Sequence, residues 1–140
     1  MLKNMTKNTL LDLRPIKKII DGIGQSIKKY FGDDRGCIVG LGDDGFFYGF
    51  GIYQWLLRQK KNITFTNMED DGEGVEEEKL KNRKVLIVDN DIITGKGYKR
   101  AMESIKERKE RLKIKDIKFA VLCDRTGLAD FSVEGYSTYA

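Results

Sequence analysis

Four short apolar segments alternate with polar or glycine-containing stretches along the chain. The clearest spans residues 85–88, Val-Leu-Ile-Val, which is too short for a helix and typical of a strand buried on both faces of a parallel sheet. Residues 37–41 and 116–123 have the same character. Residues 62–67 instead alternate apolar and polar side chains. The pattern therefore predicts four strands.

Between these segments, apolar residues recur at the three- and four-residue spacing of an amphipathic helix. The first such stretch begins at Pro15, a residue favoured at the first helical position, and ends near Gly32. A second, rich in aromatic residues, covers residues 46–57 after a tight turn, and a third covers residues 98–112. Strands that alternate with helices indicate an α/β fold, with a twisted, mostly parallel sheet flanked by helices. We expect the whole chain of 140 residues to form a single domain.

Composition narrows the class of protein. A hydrophobic content of 40% with 34% charged residues is typical of a soluble globular chain. No apolar run approaches the roughly 20 residues of a membrane-spanning helix, and the start has no signal-peptide apolar region, so we expect a cytoplasmic protein without a membrane partner. Cys37 and Cys123 lie in apolar segments without CxxC spacing, which favours buried thiols over a disulfide or a metal site. Histidine is absent, which excludes Ser-His, Cys-His and zinc-histidine mechanisms.

Charge is distributed unevenly along the chain. Residues 69–78 hold seven acids and no bases, whereas residues 96–118 hold ten bases and four acids. The acidic stretch is polar and contains glycine, so residues 68–80 are expected to form a mobile surface loop. The basic helix could attract an anionic substrate or nucleic acid, but a solvated face with internal ion pairs explains it better. Because no nucleic-acid-binding motif accompanies it, the sequence argues against a nucleic-acid partner.

The segment that follows the strand 85–88 has the composition of a phosphate-binding loop. Its residues are Asp89, Asn90, Asp91, Ile92, Ile93, Thr94, Gly95, Lys96 and Gly97. A strand, a turn of small residues and a helix present backbone N–H groups and a helix N-terminus to one point, which suits a phosphate. Asp89 can accept charge-assisted hydrogen bonds from ribose hydroxyls, and Asn90 can bond a hydroxyl without charge. The same residue types also serve an Asx turn and a helix cap, which is the structural alternative.

This segment resembles the ribose-5-phosphate loop of the type I phosphoribosyltransferases, which has a hydrophobic strand, two acids, two further residues, Thr-Thr-Gly and a small residue. In the ungapped register, Asp89 stands at the first acid, Thr94 at the second threonine and Gly95 at the glycine. Asn90 at the second acid and Ile93 at the first threonine depart from the pattern. A slipped register with one threonine deleted is the alternative, but it shortens the phosphate loop.

The resemblance also implies a pyrophosphate loop after the strand 37–41. The residues at its position are Gly42, Asp43, Asp44 and Gly45. The family usually has a basic or small residue followed by two glycines there, whereas this chain has two carboxylates. Carboxylates repel a pyrophosphate unless a divalent cation intervenes, so the resemblance implies Mg²⁺ as the cofactor, with Asp43 and Asp44 as its candidate ligands. The acidic residues 68–80 stand where the family has a flexible closing loop. The orotate-specific members carry Arg, Lys and His in that loop, and none of these occurs between Asn67 and Glu78 in this chain.

The C-terminal part of the chain resembles that of orotate phosphoribosyltransferase, with an aliphatic strand, Asp-Arg, a glycine-containing turn, a short helix and a last strand at residues 135–139. By this resemblance Arg125 contacts the base, because a planar guanidinium can pair with a flat ring that bears a carboxylate. A strand-end salt bridge between Asp124 and Arg125 is the structural alternative.

Together, the resemblance implies an orotate-like enzyme that transfers ribose 5-phosphate from phosphoribosyl pyrophosphate to a nucleobase, with no residue assigned to catalysis itself. The departures at Asp43, Asp44, Asn90 and Ile93 support a second hypothesis, a non-catalytic protein that binds a nucleoside monophosphate. The aromatic stretch 46–57 carries more large apolar residues than one helix face can bury, so we also expect a homodimer.

Overall fold

A computed structural model describes residues 12–135. Five strands form one sheet in the order β2-β1-β3-β4-β5, and every neighbouring pair is parallel. The strands are β1 (Gly36–Leu41), β2 (Ile63–Met68), β3 (Lys84–Ile92), β4 (Asp116–Asp124) and β5 (Phe131–Gly135). The predicted α/β fold with a parallel sheet is confirmed.

Helices cover both faces of the sheet. They are α1 (Arg14–Phe31), α2 (Gly42–Arg58), α3 (Lys96–Glu107) and α4 (Lys109–Leu112), with a 3-10 turn at Glu77–Lys79 before β3. The α1 and α2 helices bury their apolar faces on one side of the sheet, and α3 and α4 do so on the other. Among the described residues, no helix is long and apolar enough to cross a membrane.

The central strand β3 shows why its sequence reads as a continuous apolar run. Val85 and Ile87 point into the core beneath α3, whereas Leu86 and Val88 point into the core beneath α1 and α2. All four side chains are fully buried, as a strand covered on both faces requires.

Several predicted boundaries differ from the structure. β3 continues to Ile92, four residues beyond the apolar run, because Asp89, Asp91 and Ile92 are still paired with β4. α2 begins at Gly42, so residues 42–45 form the first helical turn and not a separate loop. The predicted third helix is divided at Arg108 into α3 and α4.

The end of the sheet also differs from expectation. The six residues between β4 and β5 contain no helix. β5 already occupies Phe131–Gly135, so the expected last strand at residues 135–139 is shifted, and its remainder lies outside the described residues. A buried carboxylate holds this short connection: Asp124 accepts hydrogen bonds from the N–H groups of Thr126, Gly127 and Ala129 at 2.9 to 3.0 Å.

The two cysteines lie on different strands, β1 and β4, with β3 between them. Cys37 is fully buried, as expected. The expectation of a buried thiol is wrong for Cys123, which is half-buried and contacts the Glu134 carboxylate at 3.3 Å. Because two strand spacings separate β1 from β4, a disulfide between these residues is excluded.

Candidate functional site

The order of the strands places a crevice between the C-terminal ends of β1 and β3. From β1 the chain proceeds to β2 on one side, and from β3 it proceeds to β4 on the other side. The helices that follow, α2 and α3, therefore leave the sheet on opposite faces, and their N-termini flank the crevice. Ligands of open α/β sheets bind at such a switch point. The two segments singled out from the sequence are the ones that line it.

The first part of the crevice is a small pocket of about 210 Å³ at the N-terminus of α3. Its lining comprises Asp89, Asp91, Ile92, Ile93, Thr94, Gly95, Gly97 and Tyr98. The first turn of α3 contains no acidic residue, and the N–H groups of Gly97 and Tyr98 donate to no protein acceptor among the described residues. Such a helix end attracts an anion, and the space is large enough for a phosphate.

Two glycines shape this pocket. Gly95 precedes α3 with a φ of +90°, which side-chain-bearing residues rarely adopt, so the turn from the loop into the helix requires glycine. A Cβ added at Gly97, in contrast, would have no atom within 4 Å. A side chain at position 97 would therefore fit without a clash. The absence of one leaves open space above the helix N-terminus.

The second part of the crevice is an acidic cavity of about 580 Å³. Its carboxylates belong to Asp43, Asp44, Glu69, Asp70, Asp89 and Asp91. Asp89 and Asp91 line both the cavity and the phosphate-sized pocket, so the two spaces adjoin. A ligand in this crevice therefore meets a helix N-terminus at one end and six carboxylates at the other.

The acids at the start of α2 have a structural explanation. Asp43 and Asp44 lie in the first helical turn, where negative side chains interact favourably with the helix dipole. Gly45 allows this turn to sit on β3, because a Cβ there would lie 2.5 Å from the carbonyl oxygen of Val88. Of the two helix N-termini at the crevice, that of α2 thus carries its own negative charges, whereas the first turn of α3 carries none. Asp89 and Asp91 line the pocket beside α3, but they belong to β3.

Asp89 is the site carboxylate with the most unusual electrostatics. Burial, together with the neighbouring carboxylates of Asp91, Asp44 and Asp70, raises its pKa to about 7, against one hydrogen bond from the N–H of Asn90 that lowers it. A group of this kind changes its charge near neutral pH.

The acidic segment 69–78 is attached to α3 and α4. Ser104 donates a hydrogen bond of 2.5 Å to the carbonyl oxygen of Gly72, and Glu77 accepts hydrogen bonds from both Arg108 and Arg111 at 2.6 to 2.8 Å. Val75 packs against the core between these anchors. The sequence predicts a mobile surface loop here, but these contacts hold the segment against the protein.

Because the segment 69–78 is held in this way, only some of its acidic side chains face the acidic cavity. Glu76 pairs with Lys79, Glu77 with the two arginines and Glu78 with Lys81, all away from the cavity. Glu69 and Asp70 instead line the cavity, and the Asp70 carboxylate lies against Gly42. Sequence reasoning missed these two residues, because only the fold brings residue 70 beside residue 42.

Arg125 lies beside the phosphate-sized pocket, since its N–H donates to the carbonyl oxygen of Ile92 at 2.9 Å. Its side chain is exposed. The preceding Asp124 is buried, which alone would raise its pKa, but hydrogen bonds from Thr126, Ala129 and Gly127 lower the pKa overall. Asp124 therefore holds the turn that positions Arg125 at the rim of the crevice.

A metal site is not preformed among the described residues: no group of three acidic or cysteine side chains converges in a way that could hold an ion. Mg²⁺ usually keeps several waters and takes only one or two carboxylates together with substrate phosphates. The exposed pair Asp43 and Asp44 at the cavity fits that mode of binding.

Comparison with solved structures shows the fold. The chain is similar to a purine phosphoribosyltransferase from Pyrococcus horikoshii, with a TM-score of 0.66 and 21% identity over 86% of this chain and 82% of that chain. It is also similar to a hypoxanthine phosphoribosyltransferase from Staphylococcus aureus, with a TM-score of 0.65, 18% identity and coverage of 96% and 81%. A hypoxanthine-guanine phosphoribosyltransferase from Bacillus anthracis gives a TM-score of 0.65, 15% identity and coverage of 86% and 76%.

No protein-family model and no curated protein sequence matches the chain. The fold is that of the type I phosphoribosyltransferases. These three structural relatives are purine enzymes, so they do not support the orotate-specific part of the sequence interpretation.

Proposed function

We propose that this protein is a phosphoribosyltransferase that transfers ribose 5-phosphate from phosphoribosyl pyrophosphate to a nucleobase. The observation that carries the proposal is the phosphate-sized pocket at the N-terminus of α3, whose first turn has no acidic residue, with Asp89 at its edge, in the crevice between β1 and β3. The fold shared with phosphoribosyltransferases supports it.

Each part of the substrate has a candidate partner. Thr94 and the N–H groups around Gly95 and Gly97 bind the 5-phosphate, since they surround the pocket. Asp89 accepts hydrogen bonds from the ribose hydroxyls, and Arg125 contacts the base from the rim. The protein's contribution to the reaction is to position the substrate and to complement its charges, because the C1–pyrophosphate bond breaks as positive charge develops on the ribose.

Mg²⁺ is the cofactor that this proposal requires. Asp43 and Asp44 would hold it, because both are exposed at the cavity that adjoins the phosphate pocket. An ion held there would supply positive charge to offset the negative charge of the pyrophosphate. Without it, six carboxylates around a pyrophosphate would oppose binding by on the order of 1 kcal/mol for each close pair even at water-like screening.

The identity of the base is tested directly. The orotate-like C-terminal sequence favours orotate, whereas the purine enzymes among the structural relatives favour hypoxanthine or guanine. The assay is release of pyrophosphate from phosphoribosyl pyrophosphate with orotate, uracil, hypoxanthine and guanine in turn, over a range of Mg²⁺ concentrations. Turnover above the base-free control with one base establishes the activity and its specificity.

A second candidate function is binding of a nucleoside 5′-monophosphate without catalysis. It is favoured by the acidic cavity, which repels a second phosphate group but leaves the phosphate pocket intact. Calorimetric titration distinguishes the two functions: phosphoribosyl pyrophosphate and a nucleoside monophosphate are each titrated with and without Mg²⁺. Binding of the monophosphate alone, together with no turnover for any base, replaces the enzyme by the binding protein.

We also propose that the protein is a homodimer. Phe50 and Leu57 on α2 remain 38% and 44% exposed, and Leu13 before α1 is 57% exposed. An apolar groove of about 410 Å³ lies between the start of α1 and α2, lined by Ile16, Phe46, Phe47 and Phe50 among others. A second copy that covers this groove would bury the apolar surface that the single chain leaves in water.

A further inference from the structure

The edge of the sheet opposite the candidate site carries a concentration of positive charge. The segments that lead into β1, β2, β3 and β4 are residues 33–35, 59–62, 81–84 and 113–116, and together they hold eight bases and three acids. The strand register places Gly36 beside Ile63 and Lys84, and Lys84 beside Asp116, so these four segments lie side by side. We call this surface the basic edge. The bases are dispersed in the sequence, and only the fold collects them.

Three of these bases face solvent without a neutralising partner. Arg35, Lys60 and Lys113 are exposed, and no salt bridge within residues 12–135 involves them. Lys84, in contrast, pairs with Asp34 at 3.0 Å. The uncompensated charges therefore belong to three separate segments, before β1, β2 and β4.

Two of these three residues, Lys60 and Lys113, have an unfavourable backbone conformation, which indicates that lysine is kept there for its charge. Lys60 and Lys113 have φ values of 61° and 55°, and Asn82 at 59° is the one other side-chain-bearing residue in the described part of the chain with a positive φ. Glycine and asparagine are favoured in this conformation, especially just after a helix, where Lys60 and Lys113 stand. A lysine at such a position interacts favourably with the helix dipole. Its positive φ is energetically unfavourable, however, and would be less so for asparagine.

The sequence argued against nucleic-acid binding by the basic helix, but the basic edge is a different surface that only the fold assembles. We propose that the basic edge binds the phosphate backbone of a nucleic-acid duplex. The large exposed apolar side chains of the described residues are Leu13, Phe50, Leu57, Ile93 and Leu128. Leu57 adjoins this edge, because its carbonyl oxygen accepts the N–H of Lys60, but it has no aromatic ring on which an unpaired base could stack. The segments before β2 and before β4 are three strand spacings apart, about 14 Å, which matches about four phosphates along one strand of a duplex.

The opposite sign of the two edges fixes the direction of approach. The acidic cavity repels a polyanion from the C-terminal edge of the sheet, so a duplex meets the protein at the basic edge and leaves the crevice accessible. A nucleoside monophosphate should therefore not compete with the duplex. This separates the inference from the proposed function, because either one can fail while the other holds.

The test is fluorescence-anisotropy titration of a 24-base-pair RNA duplex, and of a DNA duplex of the same sequence, from 50 to 200 mM KCl. About four phosphate contacts predict a slope of log affinity against log salt of about −3 to −4. The variant Arg35→Gln/Lys60→Asn/Lys113→Asn removes three charges while placing asparagine where the backbone favours it. We expect it to be at least as stable as the native protein, to bind at least about 10-fold more weakly at the lowest salt and to have a shallower slope.

The matched control is Lys99→Gln/Lys106→Gln/Lys109→Gln, which removes three exposed charges from α3 and α4. It should change affinity for the duplex by less than about threefold. Equal loss of affinity in both variants overturns the inference, because it would mean that net charge alone drives binding. Absence of duplex binding at 50 mM KCl overturns it as well, including the case in which the protein binds vesicles of anionic lipid instead.

Discussion

Asp89 shows how a single buried carboxylate can act against the stability of the fold. Its side chain is partly buried in the C-terminal half of β3, near three other carboxylates. Its pKa of about 7 means that the folded protein binds a proton there more tightly than the unfolded chain does. Between the unfolded pKa near 3.8 and pH 7, the folded state thus holds more protons, and stability must fall as pH rises through this window.

Replacing Asp89 by asparagine should remove this pH dependence. With divalent cations chelated, we expect the Asp89→Asn variant to be more stable than the native protein at pH 8 by on the order of 2 kcal/mol, allowing for partial exposure of the side chain, and nearly equal to it at pH 4. Urea unfolding at several pH values measures the difference. Asp43→Asn removes an exposed carboxylate from the same cavity and should keep the native slope of stability against pH. If stability falls with pH equally steeply in the native protein and in Asp89→Asn, the raised pKa of Asp89 is contradicted.

Gly97 offers a test of the phosphate pocket that leaves the fold intact. A Cβ at this position meets no atom, and alanine favours a helix over glycine by up to about 1 kcal/mol, so Gly97→Ala should be as stable as the native protein or more so. The same methyl group occupies the space above the N-terminus of α3. We expect at least about 10-fold weaker binding of a nucleoside monophosphate, measured by calorimetry, because one helix-end hydrogen bond to a charged group is worth about 1.5 to 3 kcal/mol.

Gly95 is a less direct probe of the same pocket. Its φ of +90° makes Gly95→Val strained regardless of any ligand, so a loss of binding in that variant would not distinguish damage to the pocket from damage to the fold.

For Gly97→Ala, unchanged affinity for the nucleoside monophosphate, with unfolding measured in parallel, would contradict the assignment of this pocket as a phosphate site.

Among the elements, the segment between β2 and β3 is held against the protein mainly by Arg108, at the end of α3, and by its own residue Glu77. Arg108 bonds both Glu77 and the Ser104 carbonyl oxygen, and hydrogen bonds from Arg111 and Arg108 lower the pKa of Glu77 to about 2. The stabilisation by this ion pair is therefore complete above pH 4.5, the ordinary pKa of Glu77, and is lost as the pH falls towards 2.

Glu77→Gln should release the segment. Hydrogen–deuterium exchange of residues 69–76 is expected to become faster, with little change in the central strands, because the segment loses two charged anchors but keeps Ser104 and Val75. Glu78→Gln, which removes a single exposed pair with Lys81, is the control and should exchange at the native rate. Exchange that is unaffected by Glu77→Gln would show that the hydrogen bond from Ser104 to Gly72 and the packing of Val75 are enough to hold the segment.

Local sequence predicted the elements where burial determines them. The apolar runs of β1, β3 and β4 and the periodicity of α1 were sufficient, because each is covered on one or both faces. The extension of β3 through Asp89 and Asp91 was not predicted, since it depends on pairing with Val121 and Cys123 across the sheet. The candidate site shows the same contrast between local and long-range determinants. The segments after β1 and β3 were identified from their own residues, whereas Asp70 lies at the cavity only because the fold brings it beside Gly42.

At the scale of the whole molecule, α2 determines the expected assembly. Phe46 and Phe50 stack with ring centroids 5.9 Å apart on the surface of the groove, and both rings also meet Phe65. Phe50→Glu places a charge in that groove and should convert a dimer to a monomer, because burying an unpaired carboxylate costs several kcal/mol. Sedimentation at micromolar concentration measures the change. Leu128→Glu, at a similarly exposed position near the crevice, should leave the dimer intact. A native protein that sediments as a monomer would refute the dimer.

The anchors of the segment 69–78 also determine the heat-capacity change when a ligand enters the crevice. Folding of a loop over a ligand buries apolar surface and gives a large negative heat-capacity change with an unfavourable entropy of ordering. Here Gly72, Val75 and Glu77 are already fixed before any ligand arrives. Binding of a nucleoside monophosphate should accordingly show a heat-capacity change near that expected from the ligand's own buried surface. In Glu77→Gln it should become more negative, because the released segment must be ordered anew at each binding event.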